Sequence, residues 1–200
     1  MDTLSLRKYL RKGSLVDRDT ASLKQLAKSK RLPTGNTTLT NKGVEKIERE
    51  FLEFFVNDKP LSELLDKFYE TKGSILGNWI GVLGSSVNKK AEVIKVKQLL
   101  GKSISDKEIR HVYPFEWSVD EFQWYLDKER EQLSDPEVII YCCAECGDYD
   151  CGGIKAKIAK TDSSFLWTFN HEDKQLRFEF NNYHYFDLFD KYLRQLEKKD

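Results

Sequence analysis

Val138-Ile139-Ile140-Tyr141, then Cys142-Cys143-Ala144-Glu145-Cys146-Gly147-Asp148-Tyr149-Asp150-Cys151-Gly152-Gly153, then Ile154-Lys155-Ala156-Lys157-Ile158 is the stretch on which the fold turns. Its first four residues are β-branched or aromatic, and its last five alternate apolar residues with lysine. The pattern predicts two strands, the second with one face in water, joined through a turn that carries the cysteines. Phe165 to Phe169 and Leu176 to Phe180 read as two more strands, with His171-Glu172-Asp173-Lys174 as the turn between them. A helix from Phe186 to Glu197 follows, carrying Leu188, Phe189, Tyr192, Leu193 and Leu196.

Upstream of Asp135-Pro136 the periodicity favours helices. Leu4 to Leu10 and Thr20 to Ala27 read as two short helical stretches, followed by the polar loop Pro33 to Thr38. Asn41 is a suitable N-cap for a helix that places Val44, Ile47, Phe51, Phe54 and Phe55 on one broad face. Pro60 opens a further helix through Leu61, Leu64, Leu65 and Phe68, and Gly73 to Ser86 reads as a short strand pair or a buried loop. Asn88 caps a helix ending near Leu100, with Gly101 at the left-handed C-cap. Ser118 and Glu121 have capping-box spacing, ahead of an inward face of Val119, Phe122 and Leu126. The expected fold is therefore α+β: a helical N-terminal two-thirds packed with a small antiparallel sheet and a C-terminal helix.

The chain has 33 basic and 33 acidic residues, and the zero balance hides an asymmetry. Residues 1–44 hold ten Lys/Arg against three Asp, a net of +7, which leaves −7 on the remainder. We read residues 1–42 as a basic extension or small helical module, and 43–200 as an α+β domain containing the cysteine motif. A basic leader suits phosphate contacts, and Leu39-Thr40-Asn41-Lys42-Gly43 has the look of a winged-helix wing, so nucleic acid is one partner expected through residues 1–44. A solvated charged extension is the alternative. No apolar run approaches a membrane span and the N-terminus lacks a signal-peptide core, so no membrane and a cytoplasmic address are expected, with thiols reduced.

Cys-x-x-Cys-Gly presents two thiolates from a tight turn. Cys143, Cys146 and Cys151 supply three candidate metal ligands; zinc is the cofactor they would take, with a fourth ligand from His171, His184, Asp148 or Cys142. Redox chemistry normally places Cys-x-x-Cys at a helix N-terminus, whereas a turn and strand follow here. A vicinal Cys142–Cys143 disulfide is a strained third reading. The plain reading is a set of small buried thiols in a glycine-supported turn. Asp148, Tyr149 and Asp150 are the candidate binding residues. Two turn carboxylates commonly bond nearby amides, and no catalytic set is legible from spacing, so a binding protein is expected ahead of an enzyme.

The cysteine run through Cys151-Gly152, with Trp167-Thr168-Phe169, Phe178-x-Phe180 and Tyr192-Leu193, resembles a family of small bacterial proteins carrying Tyr-x-Cys-x-x-Cys-Gly-Asp-x-x-Cys-Gly. The resemblance covers roughly residues 50 to 196. Cys142 replaces an apolar residue of that pattern, and Gly153 stands where alanine is more usual. Some members of the family look like immunity proteins of toxin systems. The resemblance thus implies a protein that binds and neutralises a cognate toxin domain, and an acidic body suits a basic partner such as a nuclease. A metal-dependent or thiol-redox enzyme and a DNA-binding regulator are the rival readings.

Overall fold

The computed structural model describes residues 1–11, 48–85, 89–112, 118–144 and 152–198, and also the backbone of 15–16, 37–40 and 43–46. The strands are β1 (Leu4–Arg11), β2 (Leu15–Val16), β3 (Thr37–Thr40), β4 (Gly43–Lys46), β5 (Arg49–Val56), β6 (Lys59–Pro60), β7 (Trp79–Gly81), β8 (Glu137–Cys143), β9 (Gly153–Lys160), β10 (Ser164–His171) and β11 (Lys174–Asn181). The α-helices are α1 (Leu61–Phe68), α2 (Lys89–Leu99), α3 (Asp106–Val112), α4 (Val119–Ser134) and α5 (Asn182–Glu197). Five antiparallel strands in the order β11-β10-β9-β8-β7 make sheet A, and β1-β5-β6 make sheet B. A third, short sheet has the order β2-β4-β3.

The chain is α+β, but the helical N-terminal two-thirds is overturned. Leu4 to Leu10, expected as a helix, is β1, paired residue by residue with β5 from Leu4↔Val56 to Arg11↔Arg49. The helix expected after Asn41 is replaced by β4 and β5. The apolar spacing of Phe51, Phe54 and Phe55 fits one helical face, yet Phe51-Leu52-Glu53-Phe54-Phe55-Val56 is also an aromatic and β-branched run suited to a strand covered on both sides. The turn after it decides between the two. Asn57 and Asp58 both have positive φ, 49° and 63°, between the paired Val56 and Lys59. That is a two-residue hairpin of the primed type, which accepts Asn and Asp in left-handed backbone. The stretch expected as a helix at Thr20 to Ala27 lies outside the described residues.

Other expectations hold. α1 follows Pro60 and buries Leu61 and Leu65. Gly101 has φ +62° just past α2. Ser118 and Glu121 form the full capping box of α4, although Val119 faces solvent at 85 % exposure and only Leu126 of the expected inward face is fully buried. Gly73 to Ser86 contains a 3-10 turn and a single short strand, β7, on the edge of sheet A. The strands and turn from 137 to 181 lie where the alternation places them, and the closing helix starts earlier, capped by Asn181.

Sheet B lies across sheet A and is hydrogen-bonded at both of its edges. At one edge Asp2 N donates to Glu179 O at 2.6 Å, and Glu179 N donates to the Asp2 carboxylate at 2.9 Å. At the other, Leu52 N donates to Leu83 O at 2.8 Å, just beyond β7. Phe54 therefore points between the sheets, 5.4 Å from the Trp167 ring and 6.4 Å from Tyr141. α5 closes the rest: Tyr185 stacks on Phe165 at 4.1 Å, accepts from Trp167 Nε1 at 3.1 Å and donates to Leu99 O at 3.0 Å. One hydroxyl thus ties sheet, terminal helix and the end of α2 together.

Candidate functional site

The cysteine run departs from the middle of sheet A. β8 is flanked by β7, through Trp79↔Cys143 and Ile80↔Cys142, and by β9, through Cys142↔Gly153. A Cβ on residue 153 would sit 2.4 Å from Tyr141 O, so glycine is what lets β9 approach β8 where the turn returns. Cys142 is 3 % exposed, and burial pushes its thiol up to about 11, with Lys95 pulling the other way. Cys143 is half-buried at the strand end, and no disulfide joins it to Cys142. Cys142 thus fits the reading of a small core residue.

Cys146, Asp148, Tyr149, Asp150 and Cys151 lie outside the described residues. Among the described residues no group of three or more His, Cys, Asp and Glu side chains is placed to hold a metal. The topology does separate the two candidate histidines. His184 stands exposed in the first turn of α5, at the end of sheet A opposite the cysteine turn, with β9 between them at about 26 Å of strand. His171 ends β10 at the same end as Cys143 and Gly153, half-buried against the rings of Phe68 and Tyr69 at 6.1 and 5.2 Å. Of the two histidines, His171 therefore shares an end of sheet A with Cys143 and His184 does not. The donor chemistry of three thiolates suits zinc.

Beside this turn the sheet forks. β9 and β10 pair from Phe165↔Lys160 to Thr168↔Lys157 and then part, while β9 stays paired with β8 down to Gly153 and β10 with β11 up to His171. A cavity of about 450 Å³ occupies the fork, walled by Tyr69 and Trp79 and carrying Thr71, Lys155, Thr168 and Asn170.

Sequence reasoning missed four buried charged groups among the described residues, Arg11, Glu53, Glu92 and Lys95. Glu53 is fully buried between the sheets, where its carboxylate accepts the Tyr141 hydroxyl. Burial pushes it up to about 7, against hydrogen bonds from Tyr141 and Ser62 that pull it down. Glu92, at 1 % exposure on α2, accepts from Gly84 N and the Tyr192 hydroxyl and pairs with Lys89 at 3.2 Å. Lys95, one turn on, is 7 % exposed, and burial pushes its ammonium down to about 8. The available signal was that Glu92 and Lys95 fall on the stripe shared with Val96 and Leu99.

On the outside, α4 presents an acidic ridge. Asp120, Trp124, Asp127 and Glu131 follow at helical spacing, and all are exposed. Trp124 is 67 % exposed, with Lys128 Nζ 5.9 Å from its ring. α4 carries five carboxylates against two cations. The basic leader looks different once folded. Arg7 pairs with Asp58 and lies 4.3 Å over Phe55, while Arg11, 4 % exposed, donates to Leu76 O at 2.5 Å and Gly77 O at 2.8 Å. These two cations serve the fold, and the stretch Leu4 to Leu10, expected as a helix, is a strand.

No helix among the described residues is long and apolar enough to cross a membrane. No family model, no curated protein and no solved structure matches the chain.

Proposed function

We propose that this chain is a cytoplasmic protein-binding protein of the immunity type, which neutralises a basic toxin domain by docking through the α4 ridge. The observation that carries the reading is Trp124, an indole 67 % exposed in a row with Asp120, Asp127 and Glu131. A large exposed aromatic on a rigid helix is an anchor that loses little conformational entropy on binding, and flanking carboxylates steer and orient a cationic partner. The charge of −7 on residues 45–200 extends the same field over the body. The resemblance of the cysteine signature to small bacterial proteins with immunity-like members supports the same reading. In it, zinc at Cys143, Cys146 and Cys151 holds the turn and takes no part in chemistry.

The test is capture of a partner on the immobilised protein from its own host, followed by affinity measurement with that partner. A basic protein domain is expected, bound about 30-fold more weakly by Trp124→Ala. A variant with Asp120→Lys, Asp127→Lys and Glu131→Lys should slow association at low salt. Full affinity in the Trp124→Ala variant, with its thermal unfolding unchanged, would remove the α4 ridge as the docking face.

A further inference from the structure

The fork in sheet A leaves part of a hydrogen-bond ladder open. On β9, Ile158 N donates to Pro136 O at 3.0 Å, so even-numbered residues turn their N–H and C=O toward β8 and odd-numbered ones toward β10. On β10, Ser164 O accepts from Thr161 N at 2.8 Å, just past β9, so there the even-numbered residues face β9. Thr168↔Lys157 is the last pair, and the next bonded rung, Lys155 with Asn170, is not made. Two N–H and two C=O groups therefore face the cavity of about 450 Å³ with no main-chain partner among the described residues. Thr168, 9 % exposed, lines the same cavity, and its hydroxyl has no hydrogen-bond partner among the described residues. We propose that the fork binds the C-terminal end of an extended peptide from a partner protein, whose main chain fills the missing rung and whose carboxylate reaches Thr168.

An unmade rung fits another main chain. Successive residues of an extended peptide turn their N–H and C=O to opposite sides, so one residue bonds Lys155 and its neighbour bonds Asn170. The fork closes at Thr168↔Lys157, so a strand lying in the plane of the sheet goes no further, and the entering segment presents a chain end. The groups at the closed end choose which end that is. Thr168 offers its hydroxyl and Asn170 its Nδ2, since Asn170 Oδ1 already accepts from Gln175 at 3.0 Å. Lys157 stands directly across from Thr168, and Glu137 lies one strand beyond it, about 4.8 Å further away. Lys155, the other cation of that face, is held by Asp135 at 3.2 Å. Donors with a cation as the nearest charge suit a carboxylate better than an ammonium.

The walls set the side chains. Tyr69 and Trp79, both half-buried, line the cavity with Ile75 and Ile154, so one of the last two residues of the peptide carries an apolar or aromatic side chain. The cavity has roughly three times the volume that holds benzene, which is room for a short chain end and not for a folded element. It shares no residue with the α4 ridge, so the site stands apart from the docking face proposed there.

The experiment immobilises hexapeptides through their N-termini, with every combination of the last two residues and each with a free or an amidated C-terminus, and probes them with the full-length protein. Free-carboxylate peptides with an apolar or aromatic residue at one of the last two positions are expected to bind. Their amidated counterparts should bind at least about tenfold more weakly, since a charge-assisted bond is lost. With the tightest peptide at saturation, hydrogen exchange should slow at least about tenfold at the amides of Lys155 and Asn170, which gain main-chain partners. Thr168→Val keeps the shape and removes the hydroxyl, and should weaken that peptide about tenfold without moving thermal unfolding; if the variant does not fold, amide exchange in the parent decides. The proposal is overturned if no free-carboxylate peptide binds, if the amidated peptides bind equally well, or if the bound peptide leaves both amides exchanging as before.

Discussion

The seam between the two sheets and the layer between α2 and α5 each bury a glutamate that accepts a tyrosine hydroxyl, Glu53 from Tyr141 and Glu92 from Tyr192. Their remaining partners differ. Glu92 has the Gly84 amide and the Lys89 ammonium, the latter at 3.2 Å. Glu53 has Ser62 and Tyr141, and among the described residues no cation contributes to its ionisation. Equal burial thus comes with different partners: Glu92 has a cation beside it, whereas burial with no cation among its partners holds Glu53 up to about 7, against the hydroxyls and backbone amides that pull it down.

The sharpest test of that contrast is pH. The Glu53 carboxyl in the fold sits above its unfolded value of about 4.3, so between those values the folded state binds the extra proton. Its stabilising contribution is full below about pH 4.3 and is lost as pH rises through about 7. The loss is about 4 kcal/mol for a shift of this size. Glu53→Gln keeps an oxygen acceptor for Tyr141 and has no charge to bury. Its unfolding free energy relative to the parent, measured by urea titration, should therefore rise by that amount between pH 4 and pH 8.5. Parallel curves for the two proteins would place the titrating group elsewhere.

A smaller effect, of opposite sign, is expected at the other carboxylate. Glu92→Gln loses the ion pair with Lys89 and weakens two charge-assisted bonds, at about 2 kcal/mol. Denaturant unfolding at pH 7 should show this loss while Glu53→Gln at the same pH shows none; equal losses in both would erase the distinction. Ser62→Ala is the mildest change, costing about 1 kcal/mol. It removes the Ser62 hydroxyl, which pulls the Glu53 carboxyl down, so the midpoint of the pH transition should move upward. A midpoint that stays in place would mean that Ser62 does not feel the charge on Glu53.

The strands that were legible carried their pattern locally. Ile154, Ala156 and Ile158 alternate with lysines because one face of β9 is wet, and Ser118 with Glu121 marks α4 because a cap is a contact between near neighbours. β5 was misread because it is covered on both faces and so loses alternation, leaving Phe51, Phe54 and Phe55 to imitate a helical stripe. The deciding residues are Asn57 and Asp58, because a two-residue primed turn is also a pairing instruction. The position of the cysteine turn between β8 and β9 was readable. The fork beside it was not, since where two strands part depends on what packs against Tyr69 and Trp79 from distant segments.

The bond between Asp2 and Glu179 joins residues 177 positions apart. A ribosome adding about 5–20 residues per second takes roughly 10 to 35 s to go from one to the other. Throughout that interval Asp2 has no β11 edge to settle beside, and the contact between β11 and the N-terminus is missing. Nascent chains are thus the form of this protein most open to chaperones and to aggregation, and the sheet ring completes only after the last strand has left the exit tunnel.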